Sequence, residues 1–313
     1  MEYNSFLILP TQLFEVKYLP KYTSKCKIFI WECPWYFNNP KYNYNKKKLL
    51  LHRASMKHYY DYLKLNKFNV YYLEFNEIFD LINYSMFDPI DSLKLLRLTP
   101  SNVEKSPNFL LTKSNYQTYR DKTQKFFFNS FYMFGKSIIN VIPDIKSKDK
   151  ENRQVPKSQI KINKPPLAKI DKLYIKEASA YVEKHFKNNI GNINDFMFPV
   201  THSTSKKWLD FFIKEKFSKF GDYQDYIDKS NEFNYHSLLS TSINIGLLNP
   251  PDLIDTVCKY KKIIPINSFE GYIRQLFWRE YQRYTYIYFY SINKNRKLNF
   301  FGNRRRLTKK WYN

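Results

Sequence analysis

The sequence predicts two structural units of different class, an α/β unit at the N-terminus and an all-helical unit at the C-terminus. Over residues 1–80, short strand-like runs alternate with longer helix-like runs, which is typical of a parallel sheet. After Ile175 the strand signals largely vanish and helices with capping residues take over. A charged, proline-bearing, aperiodic stretch between the two indicates a linker. We therefore predict an α/β domain at 1–143, a linker at 144–172 and a helical domain at 173–313.

Three strands and one long helix are readable in the first unit. Residues 6–9, Lys27–Trp31 and Asn69–Leu73 have the apolar, β-branched and aromatic composition of strands. Between the last two strands, apolar residues recur at helical spacing, which predicts a βαβ crossover. These residues are Leu50, Ala54, Tyr59, Tyr62 and Leu63. Residues 115–139 are aromatic on several faces and predict one mostly buried helix.

Helix-capping residues divide the second unit into helices. The candidate N-caps of three helices are, in chain order, Ser203 or Thr204, Asn234 or Ser237, and Asn267 or Ser268. Pro250 and Pro251 are expected to mark the end of the second of these helices. The third is long and runs through Tyr281.

The composition is that of a folded, strongly basic protein. Hydrophobic residues make up 43% of the 313 residues, well above the level that keeps a chain disordered. There are 52 lysines and arginines against 28 aspartates and glutamates, a net charge of +24 that attracts polyanions. Nucleic acid, and DNA in particular, is therefore the expected partner. A bias toward A/T-rich codons is an open alternative source of the charge, because it also enriches lysine, asparagine and the aromatic residues.

Several common sites are excluded by residue spacing. The six glycines lie too far apart for a GxGxxG turn or a GxxxxGK phosphate loop. The three cysteines form no CxxC pair, and neither they nor the five histidines form a ligand cluster, so no metal site is expected. The N-terminus has no basic leader and no run approaches the length of a membrane span. We expect a soluble, intracellular protein that is not secreted.

Three segments of the helical unit carry most of the functional information. They are Phe220-Gly-Asp-Tyr-Gln-Asp225, Tyr235-His-Ser-Leu-Leu-Ser-Thr-Ser-Ile-Asn-Ile-Gly-Leu-Leu-Asn-Pro250 and Ser268-Phe-Glu-Gly-Tyr-Ile-Arg-Gln-Leu-Phe-Trp-Arg-Glu-Tyr281. In the first unit, Ile8-Leu-Pro-Thr-Gln-Leu-Phe14, Trp31-Glu-Cys-Pro-Trp-Tyr-Phe37 and Ser106-Pro-Asn-Phe-Leu-Leu-Thr112 agree with them. Their order and spacing resemble the photolyase/cryptochrome family, in particular the branch of iron–sulfur bacterial photolyases and photolyase-related proteins.

The resemblance implies a Rossmann-like antenna domain, a linker and a helical domain that binds FAD beneath a DNA-lesion pocket. It places the contacts to the flavin diphosphate and ribityl chain on Tyr223, Ser237, Leu238, Leu239 and Ser240, with Arg279 beside the flavin. Hydroxyls and free backbone amides suit an anion. Without the resemblance, the same serines would be helix caps and Tyr223 a core aromatic residue.

The resemblance also implies a lesion pocket on the third segment. The resemblance places Trp278 against the flipped-out lesion and Gln275, one helical turn earlier, in hydrogen-bonding reach of the damaged base. A glutamine at this position favours a (6–4) photoproduct over a cyclobutane dimer. Arg274, Arg279 and Arg283 have the spacing of a phosphate-facing stripe. The alternative interpretation of Gln275 and Trp278 is an amphipathic helix with a tryptophan in the core, and that of the arginines is a solvated basic face.

Compared with the family, the chain is expected to be truncated and to encode about half of the FAD site. None of its cysteines lies in a matching segment, so an iron–sulfur cluster is not expected. The segment between Asp91 and Ser106 looks shorter than in the family, so we expect it to lack a helix–strand unit. The loss would disturb the antenna pocket and argues against an antenna chromophore. A second polypeptide that supplies the remaining helices is the expected partner.

The functional expectation is therefore a DNA photolyase lineage, a light-dependent carbon–carbon lyase that repairs DNA. This chain would be inactive alone or one half of a split enzyme. The alternative is a non-catalytic remnant or a basic nucleic-acid-binding protein. The A/T-rich composition suggests a large DNA virus or an A/T-rich microbe as the source, and hence the cytoplasm, the nucleus or a viral factory as the location.

Overall fold

The computed structural model of the chain describes residues 4–123, 126–142, 145–157, 167–228, 231 and 233–292. Residues 158–166 of the predicted linker and 293–313 of the predicted helical domain lie outside the described residues. Within the described part, no helix has the length and apolar character needed to cross a membrane.

A five-stranded parallel sheet forms the N-terminal part of the molecule, with strand order β3-β2-β1-β4-β5. The strands are β1 Ser5–Ile8, β2 Lys27–Trp31, β3 Asn69–Leu73, β4 Tyr84–Phe87 and β5 Asn102–Glu104. All residues of β1 and β4 are buried, as expected for central strands that are covered on both faces. The predicted α/β class and its βαβ crossover are confirmed.

Ten α-helices occur among the described residues. They are α1 Lys46–Leu65, α2 Leu93–Leu96, α3 Lys113–Lys122, α4 Phe128–Ile139, α5 Lys169–His185, α6 His202–Phe211, α7 Phe217–Tyr223, α8 Ser240–Ile245, α9 Pro250–Cys258 and α10 Ile266–Ile292. A five-residue π-helical turn, 212–216, joins α6 to α7. The predicted helical half is thereby confirmed over its described residues.

Two segments of the first half differ from the prediction. The single helix expected over 115–139 is two helices, α3 and α4, because Thr123 and Phe127 are both extended. The aromatic residues on all sides of this segment masked the break, since they give no stop signal. The segment 91–106, expected to lack a helix–strand unit, contains α2 and β5.

The predicted helix boundaries in the second half were wrong by a few residues. α6 is capped by Thr201, whose hydroxyl accepts from the backbone of Thr204, and not by Ser203 or Thr204. α8 begins without a side-chain cap, so neither Asn234 nor Ser237 caps it.

The two later boundaries differ as well. Pro250 and Pro251 begin α9, where a proline loses no helical hydrogen bond, and they do not end the preceding helix. α10 begins at Ile266, which puts Asn267 and Ser268 inside its first turn.

Two hydrophobic cores divide the chain in an interleaved order. The sheet packs with α1 and α5 in the first core. Helices α3, α4, α6, α7 and α10 pack in the second. The chain thus leaves the first core at α3, enters the second, and returns to the first with α5. The predicted domain boundary stays a prediction, and packing crosses it in both directions.

Helices α7 and α10 approach each other closely at a glycine. A Cβ atom at Gly221 would lie 2.5 Å from the backbone nitrogen of Ser268, so only glycine permits this spacing. The Gly221 backbone N–H donates to Ser268 Oγ at 2.8 Å. This contact fixes the end of α7 beside the N-terminal half of α10.

Candidate functional site

Gln275 and Trp278 lie one turn apart on α10. Gln275 is exposed, and its Nε2 donates to Gln224 Oε1 at 3.0 Å. The Trp278 indole is half-buried and stacks on Phe128, with ring centroids 3.6 Å apart and planes inclined by 9°. Tyr281 meets the same indole edge-on at 5.8 Å. One face of Trp278 is therefore occupied by the protein itself.

Arg279 joins α10 to two other segments. Its guanidinium donates to Asn244 Oδ1 at 3.0 Å, and to the backbone and side-chain oxygens of Asn108 at 2.6 and 2.9 Å. Its charge lies 4.4 Å from the ring of Phe109. Burial lowers the pKa of Arg279 to about 10. The side chain is held rigidly and stays a cation at neutral pH.

Arg274 and Arg283 both point into the protein. The Arg274 side chain is 6% exposed and pairs with Asp149 at 2.7 Å. Arg283 is equally buried and contacts Asp88 at 2.8 Å and the carbonyl of Pro89 at 2.8 Å. Both guanidinium groups are thus engaged within the chain. Their predicted contact with DNA phosphates stays a prediction, and this geometry does not favour it.

Tyr223 ends α7 next to the site on α10. Its ring is half-buried and stacks on Tyr235, with centroids 5.3 Å apart and planes inclined by 27°. Gln224, which follows directly, forms the bond to Gln275. The end of α7 therefore brings Tyr223, predicted to bind the cofactor, close to Gln275, predicted to bind the lesion, because Gln224 lies between them.

The predicted phosphate-binding stretch leads into α8. Ser237 and Leu238 are half-buried, Leu239 is buried and Ser240 is exposed. Leu238 has φ +59°, a left-handed conformation that costs a leucine about 1–2 kcal/mol. The buried hydroxyl of Thr241 has no partner in the described structure. Backbone strain and an unpaired hydroxyl at one place are typical of a binding segment.

A buried lysine lies beneath this stretch. Lys216 belongs to the π-helical turn and its side chain is 1% exposed. Its Nζ contacts the carbonyl oxygens of Phe233 at 3.4 Å and His236 at 3.2 Å. Burial lowers the pKa of Lys216 to about 8. In the described part of the chain no carboxylate pairs with this ammonium group.

The structure brings the predicted residues together through two amides. Gln224 links the Tyr223 end of α7 to Gln275. Asn244 of α8 links the stretch after Ser240 to Arg279. Both predicted groups therefore meet on one side of α10.

Sequence reasoning missed the connecting residues of the site. Gln224 lies inside one of the informative segments but carries no pattern that sets it apart. Asn108 and Asn244 act only through distant contacts, and Lys216 has the appearance of an ordinary surface lysine in a helical pattern. A π-helical turn has no sequence signal that would have exposed it.

The stretch 237–241 has the chemistry expected for a diphosphate. Serine and threonine hydroxyls, a strained backbone and a nearby cation without a carboxylate partner all favour an anion. These residues therefore fit the phosphate end of FAD. Among the described residues, no group of three or more histidine, cysteine, aspartate or glutamate side chains is placed to hold a metal ion.

A second polar cluster lies at the carboxyl edge of the sheet. Glu32 follows β2 and is fully buried, and Glu74 follows β3. Arg53 of α1 pairs with Glu32 and Glu74 at 2.9 Å each and with Glu177 of α5 at 2.7 Å. The Arg53 guanidinium also lies 3.7 Å from the ring of Tyr181. This network ties α5 to the sheet.

A parallel α/β sheet joined to a helical unit is also found in a solved photolyase. The structure is similar to a bacterial class III photolyase from Agrobacterium tumefaciens, with a TM-score of 0.55 and 12% identity. That alignment covers 92% of this chain and 60% of the photolyase.

The sequence identifies the family. The chain matches the family described as Deoxyribodipyrimidine photo-lyase-related protein over residues 6–85 and 77–198. The chain belongs to this family.

The relatives that match differ in how much of them is covered. The (6-4) photolyase of Agrobacterium fabrum is 37% identical over 145 residues, which are 44% of this chain and 28% of that protein. Two uncharacterized proteins of Acanthamoeba polyphaga mimivirus also match. R852 is 31% identical over 51% of this chain and 98% of its own length. R853 is 42% identical over 29% of this chain and 70% of its own length. The matches thus span 28% of the length of the (6-4) photolyase and 60% of that of the class III photolyase.

Proposed function

We propose that this chain is part of a light-dependent DNA photolyase of the (6–4) type. The observation that carries the proposal is the meeting of Tyr223, Gln275 and Arg279 on one side of α10 through Gln224 and Asn244. In this proposal the residues 223–241 bind FAD and the exposed end of Gln275 faces the damaged base.

The chain's own residues bind and orient. Tyr223, Ser237 and Ser240 would hold the diphosphate and ribityl chain, and Lys216 would offset the negative charge. FAD held there in its reduced form would supply the electron that light transfers to the lesion. Gln275 hydrogen-bonds the flipped base, and the indole of Trp278 supplies an apolar surface beside it. Asn108 and Asn244 fix the Arg279 guanidinium, so that this charge costs little reorganisation.

We further propose that a second polypeptide completes the site. Two separate mimivirus proteins match parts of this chain, which supports a division of the family's fold between polypeptides. Helices α4 and α10 and the N-cap residue of α4 also leave large apolar side chains exposed. These are Phe127 at 61%, Met133 at 52%, Tyr286 at 51% and Phe289 at 40% exposure.

The test is a flavin-binding measurement. Absorption and fluorescence spectra of the purified chain are recorded with FAD, with and without a second polypeptide that carries the unmatched part of the Agrobacterium photolyase. Retention of flavin only with both polypeptides supports the split enzyme, and repair of a (6–4) photoproduct under light then tests activity. Failure to retain flavin under both conditions overturns the enzyme proposal.

The net charge of +24 favours one second candidate, a basic nucleic-acid-binding protein without catalysis. Here DNA binding would weaken steeply with salt and would not change on addition of FAD. A titration of labelled DNA at several salt concentrations, with and without FAD, distinguishes the two candidates.

A further inference from the structure

Three carboxamide side chains from three separate segments meet beside Gly271 of α10. Gln275 belongs to α10, Gln224 follows α7, and Asn152 belongs to the segment 145–157. A Cβ atom at Gly271 would lie 3.2 Å from Asn152 Nδ2 and 3.5 Å from Gln224 Nε2. Both amides therefore pack against the bare backbone of this glycine.

The segment 145–157, here termed the strap, is firmly held across α7 and α10. The backbone N–H of Lys148 donates to Glu270 at 3.1 Å. The backbone N–H of Gln154 donates to the carbonyl of Asp222 at 3.0 Å. The ion pair between Asp149 and Arg274 adds a third attachment. These contacts bury Asn152 completely.

The buried amides have hydrogen-bonding capacity to spare. Both polar atoms of Asn152 and the Nε2 atom of Gln224 are buried without a partner in the described structure. A buried polar group without a hydrogen bond costs free energy, and a hydrogen bond in a buried environment is stronger than one in water. The loss of a bond that a buried amide does form is therefore expensive. For Gln224 that bond is the one to Gln275.

We propose that Gln224, backed by Asn152, is a positioning residue for Gln275 and sets which base Gln275 accepts. The proposal rests on the proposed function, in which Gln275 faces the damaged base. Gln224 Oε1 holds Gln275 Nε2, so Gln275 presents its Oε1 to the ligand. A carbonyl oxygen accepts from the ring N–H of thymine, whereas the ring N3 of cytosine has no hydrogen to donate.

The test compares binding of the full-length chain to fluorescent single-stranded oligothymidylate and oligodeoxycytidylate of equal length by anisotropy. Wild type is expected to prefer thymine roughly fivefold, the factor that one net hydrogen bond contributes. Gln224→Leu should abolish the preference, with the cytosine affinity unchanged within about twofold. Gln224→Glu should keep the preference, because a carboxylate still accepts from Gln275. The matched control, Gln117→Leu, removes an exposed glutamine that bonds to a neighbour on its own helix, Asp121.

A measurement without DNA separates the two proposals. The side-chain amide signals of Gln275 are followed by ¹⁵N NMR and identified by their loss in Gln275→Met. In Gln224→Leu, but not in Gln117→Leu, they should shift toward those of a free glutamine. Unchanged Gln275 signals in Gln224→Leu would overturn the positioning role. A thymine preference that survives Gln224→Leu or reverses in Gln224→Glu would do the same. Failure of wild type to bind either oligonucleotide, with the NMR shift present, would count against the proposed function alone and leave Gln224 as the residue that orients Gln275.

Discussion

Arg53 in the first core and Lys216 in the second are both buried cations, but their charges are compensated in opposite ways. Arg53 is 6% exposed in its side chain and contacts three carboxylates. Lys216 is 1% exposed, and among the described residues its Nζ donates to two backbone carbonyl oxygens and pairs with no carboxylate. In the described structure the buried cation of the first core pairs with carboxylates, whereas that of the second core has no carboxylate partner.

This difference separates a structural role from a binding role. A buried pair that is broken costs stability, so Arg53 holds α5 on the sheet. A buried ammonium group without an anion lowers the stability of the native state. The native state regains stability when an anion binds to this group. The contrast supports the proposal that the stretch after His236 binds a diphosphate.

The largest effect is expected for Arg53→Met. This change leaves Glu32 buried without its cation, and it should lower the free energy of unfolding by about 3–5 kcal/mol. Urea unfolding followed by circular dichroism measures it. Arg153→Met removes an exposed arginine that bonds to Asp149, and it should change stability by under about 1 kcal/mol. Equal losses in the two variants would contradict a special role for Arg53.

Lys216→Met should stabilise the free chain at pH 7, by roughly 2–3 kcal/mol. The pKa of Lys216 falls from its ordinary 10.5 to about 8 through burial, so between these values the unfolded chain binds more protons than the folded one. The unfavourable contribution of Lys216 to the free energy of unfolding therefore shrinks as the pH increases from 8 to 10.5.

Urea unfolding of wild type and Lys216→Met at several pH values from 7 to 10 tests this. The difference between the two proteins should shrink toward higher pH. A difference that does not vary with pH would mean that folding does not lower the pKa of Lys216.

Glu177→Gln should cost only about 1 kcal/mol. Glu177 is 41% exposed in its side chain, and Glu32 and Glu74 continue to compensate Arg53 after the change. A loss as large as that of Arg53→Met would show that the α5 contact, and not the buried charge, dominates the network. The same unfolding measurement decides between them.

Pyrophosphate should give the smallest effect. At a concentration equal to its dissociation constant it adds about 0.4 kcal/mol to the stability of wild type, through binding to the native state alone. In Lys216→Met this gain should be lost. Thermal unfolding with pyrophosphate, and with sodium chloride at matched ionic strength, measures it. An equal gain in both proteins would place the anion elsewhere.

Much of the fold was readable because it depends on local patterns. β2 and β3 begin and end at the predicted residues, and the helix between them follows from its apolar spacing. β4 and β5 were missed, although β4 is as long as β1, which was predicted. Their positions are fixed by pairing with strands distant in the chain.

The site was readable only in part. Helical spacing places Gln275 and Trp278 on neighbouring turns, as predicted. Phe128 stacks on Trp278 and Asp149 pairs with Arg274, although the two residues of each pair are far apart in the sequence. Contacts over such separations follow from how helices pack and have no local sequence signal.

The return of α5 to α1 has a consequence for synthesis of the chain on the ribosome. Lys46 pairs with Glu183, and Asp61 accepts from Tyr174, so the α1 surface stays uncovered until α5 emerges. By then α3 and α4, which belong to the other core, have already been made. The nascent chain therefore cannot complete one core before starting the next. Fission of the gene within the strap or linker would also place α5 on the second product, where it would serve as the element that recognises the first.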